Sequence, residues 1–171
     1  MLGKPGMSVF ALGHDALDLS QHVHLIEAVV AYAIRWGRPP RVVLGVSNDD
    51  LRVDLGDELR ARGFDVVEAA HAQTLHGALL RSMATPELHA VDLFVVDAAL
   101  DGCSPLHAMG YARQHGVTAP TILLSEENEH APDEAARLDL ERCARSRAIE
   151  SIDRVLLRVL RRRWSERPVA A

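Results

Sequence analysis

Apolar residues recur along this chain with two different periods, and the change of period marks its organisation. From Asp15 to Trp36 the period is helical. Leu19, Val23, Ile26, Val30 and Ala33, with Tyr32 beside them, return at three- and four-residue steps, and Asp18, Gln21, His22, Glu27 and Arg35 are spread around them. The breaker cluster Gly37-Arg38-Pro39-Pro40 then reads as a linker. Beyond Arg41 come short apolar runs, Val42–Val46, Phe64–Val67, Val91–Val96 and Thr121–Leu124, separated by Asp50–Arg62, Ala72–Met83 and Leu106–His115. Most of the runs are continuous rather than alternating, which predicts strands buried on both faces of a parallel sheet. The stretches between them are long enough for crossover helices.

Local punctuation agrees with this reading. Ser104-Pro105 places an N-cap hydroxyl before a proline at the first helical position. Gly63 and Gly116 fall where a helix end wants a left-handed residue. A last helix, Ile149–Arg163, carries Ile152, Val155, Leu156, Val159 and Leu160 on one face, with Arg154, Arg158, Arg161 and Arg162 mostly on the other. The expected fold is α/β, a doubly wound five-stranded parallel sheet of flavodoxin-like type with an extra N-terminal helix. Residues 1–40 form the helical extension and linker, 41–163 the domain, and 164–171 a tail. The extension's apolar stripe cannot remain in water. It must pack on the following domain, on a second copy of the chain as a homodimer, or on a different partner.

Composition narrows the function. The 171 residues are 48% hydrophobic and 25% charged, which suits a soluble globular protein. A net charge of −5 gives no basic field for nucleic acid, and neither a spanning apolar run nor a leader is evident, so a cytoplasmic protein is expected. Cys103 and Cys143 lack metal spacing. The histidine pairs His22/His24 and His71/His76 miss the four-residue step of helical zinc ligands. Neither Gly-x-Gly-x-x-Gly nor a Walker lysine is present to hold a nucleotide. Of the 19 basic residues one is a lysine, Lys4.

Residues Arg41–Arg163 resemble the receiver domain of two-component response regulators, the module that accepts phosphoryl groups in a phosphorelay, mostly in bacteria. The likeness is carried by Asp50-Leu51-Arg52, by Arg60-Ala61-Arg62-Gly63-Phe64-Asp65-Val66-Val67-Glu68-Ala69, by Val91-Asp92-Leu93-Phe94-Val95-Val96-Asp97, and by Ala119-Pro120-Thr121-Ile122-Leu123-Leu124-Ser125. The resemblance implies roles. Asp97, ending the third strand, stands where the phosphoacceptor carboxylate attacks a phosphoryl group donated by a kinase histidine. Ser125, ending the fourth, is the hydroxyl that reports phosphate. An acidic pair after the first strand would hold Mg²⁺ to neutralise the phosphoryl oxygens, and a lysine after the fifth would pair with the acyl phosphate.

The chain departs from that pattern in half of it. The acidic-pair positions fall on Val46 and Ser47, which offer little to a hard cation. Asp49 and Asp50 would serve as substitute ligands only after rearrangement of the loop. The lysine position falls on Arg147, within Arg145-Ser146-Arg147, and the segment Glu141–Arg145 lacks the apolar run expected of a fifth strand. Arginine keeps the charge but spreads it over a planar fork. The leading expectation is therefore a pseudo-receiver that signals by protein–protein contact, with no catalytic residue, no enzymatic activity and no cofactor. Its partner would be a histidine kinase or another signalling protein. The alternative is a working phosphoacceptor that uses Asp97, with Mg²⁺ held by Asp49 and Asp50. The acidic run Glu126, Glu127, Glu129, Asp133 and Glu134 is either a solvated loop or a contact face, and the Arg161, Arg162, Arg163 and Arg167 cluster suits helix-end solubility better than nucleic acid.

Overall fold

The computed structural model describes residues 11–102, 104–126 and 137–166, with side chains from 19 to 162 within those ranges. Helix α1 (Ala11–Trp36) leads into β1 (Arg41–Gly45), α2 (Asp49–Ala61), β2 (Asp65–Ala69), α3 (Ala72–Ala84), the single turn α4 (Pro86–His89), β3 (Leu93–Asp97), α5 (Pro105–Gln114), β4 (Thr121–Ser125), β5 (Leu140–Ala144), a 3₁₀ turn (Arg145–Arg147) and α6 (Ala148–Glu166). The strands form one parallel sheet in the order β2-β1-β3-β4-β5. This is the expected doubly wound sheet with an added N-terminal helix. Glu127, Glu129, Asp133, Glu134, Cys103, Arg163 and Arg167 lie outside the residues whose side chains are described.

The strand sequences explain the sheet order. The central strand β3 is buried along its whole length, as is β4, and β1 nearly so, whereas the edge strand β5 buries only Cys143. An edge strand carries polar residues without penalty, so Leu140-Glu141-Arg142-Cys143-Ala144 needs no apolar run. Two apolar layers flank the sheet. One joins Val42, Leu44 and Val95 to α2, α6 and α1 through Leu55, Leu59, Ile152 and Leu156; the other joins Val43, Phe94 and Val96 to α3 and α5 through Leu75, Leu79 and Met109. Alternate residues of each strand thus serve opposite layers.

The helix ends follow the expected chemistry in most places. Gly63 has φ +90°, and Phe64 N–H reaches back 3.2 Å to the Leu59 carbonyl, so α2 closes in a Schellman turn. The same glycine admits α1, because a Cβ there would meet Val29 Cγ1 at 3.1 Å. Asn48 caps α2 by accepting from Leu51 N–H at 2.9 Å. Ser104 stands at the N-cap of α5 before Pro105, but its hydroxyl makes no capping bond.

The extension docks on its own domain by a face other than the Leu19 stripe, which leaves that stripe to the other options. Leu25, Val29 and Tyr32 are the buried residues of α1, and they join the layer of α2 and α6. The stripe of Leu19, Val23, Ile26, Val30 and Ala33 is not the docking face: Leu19, Val23 and Val30 are exposed, and Ile26 and Ala33 only half-buried. Polar contacts fix the choice. His22 Nδ1 lies 2.9 Å from Asp153 on α6, which also accepts from Arg62 at the end of α2. Burial disfavours the charge on Arg62, but its hydrogen bonds to Asp153 and Glu58 outweigh that and hold its pKa above the usual guanidinium value. At the other end, Tyr32 and Arg38 both donate to Asp92, just before β3, which also accepts from Arg41 N–H at 2.7 Å. Among the described residues, no helix is long and apolar enough to cross a membrane.

If this face is the docking face, Leu25→Ala should cost about 2–5 kcal/mol in denaturant unfolding. Ile34→Ala, on the exposed side of the same helix, should stay within about 0.5 kcal/mol.

Candidate functional site

The C-terminal ends of the strands gather the residues of interest along one edge of the sheet, where α/β folds place their ligand sites. Asp97 ends β3 beside Leu124 of β4, and Ser125 ends β4 beside Ala144 of β5. Val46 and Ser47 follow β1 directly. The topology therefore brings Asp97, Ser125, Val46 and Ser47 to one rim.

Asp97 is 4% exposed, and its carboxylate is fully engaged. Arg145 Nε donates to Oδ1 at 2.9 Å and to Oδ2 at 3.0 Å, and Arg145 Nη2 lies 2.6 Å from Oδ1. Ala99 N–H donates to Oδ1 at 2.9 Å. A buried carboxylate needs a cation and hydrogen bonds to repay its desolvation, and Arg145 supplies both. It is Arg145, the residue immediately after β5, that reaches Asp97. Arg147, the lysine-equivalent position expected from the sequence, is exposed at the end of the 3₁₀ turn. The register explains the difference. β5 ends at Ala144 opposite Ser125, so the next side chain is the one placed beside the strand ends. Assigning β5 through Arg145 hid that residue inside a strand, and ending the strand one residue earlier is the signal that would have found it.

The acidic-pair positions are committed elsewhere. Val46 is fully buried and belongs to the apolar layer of α1, α2 and α6. Ser47 Oγ donates to the Ala70 carbonyl at 2.8 Å and accepts from Asp101 N–H at 2.8 Å. It ties together the segments that follow β2 and β3. Arg52 Nη1 donates to the Val46 carbonyl at 2.9 Å, and the same guanidinium meets Asp49 and Glu68. Sequence reasoning gave Arg52 no part here; its position five residues beyond Ser47, one turn into α2, puts it over the strand end.

Asp49 and Asp50 form the exposed first turn of α2, where acids suit the helix dipole. Asp49 is held at 2.5 Å by Arg52 and its side chain is 81% exposed. Among the described residues no group of three or more His, Cys, Asp and Glu side chains converges to hold a metal. Among the described residues, the one buried carboxylate on the rim already faces a guanidinium. Mg²⁺ demands near-octahedral oxygen ligation and dehydrates reluctantly, so these residues do not fit it.

Ser125 is buried, and its hydroxyl accepts from Arg142 Nη2 at 3.0 Å, on the adjacent edge strand. Glu126 accepts from Ser146 N–H at 2.9 Å and so braces the 3₁₀ turn that carries Arg145. The rim is a set of mutually satisfied groups: a carboxylate on an arginine, a hydroxyl on an arginine, and a serine stitching two loops.

Comparison with known proteins places this architecture. No family model matches the sequence, and no curated protein matches it. Solved structures do match. The receiver domain of the hybrid histidine kinase CckA is 21% identical, with a TM-score of 0.56 over 70% of this chain and 98% of that one. A Francisella response-regulator receiver domain is 14% identical, with a TM-score of 0.59 over 72% of this chain and 98% of that one. A response-regulator receiver domain from Clostridium thermocellum is 11% identical, with a TM-score of 0.60 over 74% of this chain and 98% of that one. The chain has the receiver-domain fold, with an N-terminal helix in addition.

If Arg145 is what repays the burial of Asp97, Arg145→Ala should destabilise the fold by about 3 kcal/mol. Arg147→Ala should change stability by less than about 0.5 kcal/mol. In a double-mutant cycle, Asp97→Ala with Arg145→Ala should cost clearly less than the sum of the two single changes, as measured by urea unfolding.

Proposed function

We propose that this protein is a receiver-fold signalling module that works through protein–protein contact and does not depend on phosphorylation of Asp97. The observation that carries the reading is the clamp of Arg145 on the Asp97 carboxylate. A phosphoacceptor must present an oxygen lone pair to the incoming phosphorus, with a divalent cation neutralising the phosphoryl oxygens. Here Arg145 and Ala99 N–H take up the two oxygens, and the guanidinium lowers the nucleophilicity of the carboxylate it neutralises. Val46, packed in the core, leaves no acidic residue for a cation at its own position. A cation would also be repelled by Arg145.

On this reading Arg145 does permanently what a phosphate-bound switch does transiently: it fixes the end of β3 against the end of β5. The Ser125–Arg142 bond fixes β4 to β5 in the same way. The module then presents one rim conformation to its partner, a histidine kinase or another signalling protein, and is regulated by association rather than by chemistry on its own side chains. It needs no cofactor and is no enzyme.

Intact-mass spectrometry after incubation with acetyl phosphate and Mg²⁺ tests the proposal. The expected spectrum shows the unmodified chain alone, for the wild type and for Asp97→Asn alike. A Mg²⁺-dependent phosphoryl adduct that disappears in Asp97→Asn would overturn the reading and reinstate a working phosphoacceptor, with Asp49 or Asp50 as the metal ligand.

A further inference from the structure

The end of the sheet opposite Asp97 holds a cavity of about 340 Å³. It lies where β1, β3 and β4 begin, and both helical layers close it: the ends of α3 and α5 from one side, Leu160 of α6 and Tyr32 of α1 from the other. Tyr32 belongs to the added helix, so the cavity is complete only with the extension docked. Pro40, Met83, Val91, Val117 and Ala119 supply much of the remaining wall. A concave, mostly apolar space with a few polar groups is the usual form of a small-molecule site, with volumes of about 300–1,000 Å³.

The polar groups of the lining select the ligand. Asp92 is its one formally charged residue, and Tyr32, Arg38 and the Arg41 amide already donate to that carboxylate. A charged ligand would lose its hydration here without gaining a counter-charge. What the lining offers instead is hydrogen-bond acceptors. His115 Nδ1 lies 2.9 Å from the Tyr111 carbonyl, which can only accept, so in the neutral imidazole Nδ1 carries the proton and Nε2 keeps a lone pair. The ring also stacks on Tyr111 with centroids 4.1 Å apart, which holds its orientation. At the end of α3 the Ser82 carbonyl lacks its intrahelical donor, because the residue four positions on is Pro86 and has no N–H. Ser82, Pro86 and His115 all line the cavity.

We infer that this cavity binds a small neutral molecule with an apolar body and a hydroxyl or N–H donor. The body packs on Met83, Val91, Val117 and Leu160, and the donor serves the acceptors of His115 and Ser82. The site is at the far end of the strands from Asp97 and does not involve Arg145. Because Tyr32 is part of the wall, the ligand binds the docked arrangement of α1 and stabilises it by mass action.

Amide chemical shifts of the isotope-labelled full chain, titrated with cyclohexanol, test this. The expected result is saturable shifts at Met83, Asp92, Gly116 and Val117 and none at Asp97 or Ser125. Cyclohexylamine and cyclohexanecarboxylate, charged molecules of similar shape, should bind at least about tenfold more weakly. Ser82→Phe, which fills the cavity from the end of α3, should abolish the saturable shifts, and Gln73→Phe, at the exposed start of the same helix, should leave them unchanged. Ala90→Leu narrows the cavity from the β3 side and decides the question if Ser82→Phe does not fold. His115→Ala should weaken cyclohexanol binding about two- to tenfold. The inference is overturned by the absence of saturable shifts, by equal binding of either charged analogue, by an affinity indifferent to His115→Ala, or by binding that survives both S82F and A90L.

Discussion

One ion pair governs the functional end of this molecule. Asp97 is carried into a nearly dry position because β3 is the central strand and is covered on both faces. A charge placed there is tolerable only when paired and hydrogen-bonded, and removing the partner costs far more than the pair contributes. Arg145 supplies the partner from the 3₁₀ turn that follows the edge strand, and its planar fork matches the carboxylate with more than one hydrogen bond. A lysine at the same place would act as a point charge and leave more of the carboxylate open.

The rest of the rim has settled around that pair. Among the described residues Asp97 is the one buried carboxylate, and a guanidinium already neutralises it. After β1, Val46 packs in the core and Ser47 bridges two loops. Glu126, which follows β4, braces the turn that positions Arg145.

At the opposite end the same principle secures the added helix. Asp92 collects Tyr32, Arg38 and the Arg41 amide, and its hydrogen bond to Arg38 holds that guanidinium's pKa above its usual value. Asp153 collects His22 and Arg62. These carboxylates belong to the domain, so the choice of which side of α1 faces inward is made by the domain surface and not by the helix.

The order of strands and helices, the burial of the sheet on both faces and the position of Asp97 at a strand end were legible in the sequence. Each is written locally, in continuous apolar runs, in breaker residues and in their spacing. Three things were decided only by tertiary structure. Arg145 rather than Arg147 meets Asp97 because strand register across 48 residues of chain separation sets which side chain reaches the rim. β5 is a strand despite its polar sequence because it lies at the sheet edge, where its neighbour supplies the ladder on one side only. Leu25, Val29 and Tyr32, and not the equally periodic Leu19, Val23 and Val30, face the domain because Asp92 and Asp153 fix the rotation of α1. A helical period tells how many apolar stripes a helix has; which stripe is buried depends on partners distant in sequence, and no local pattern records them.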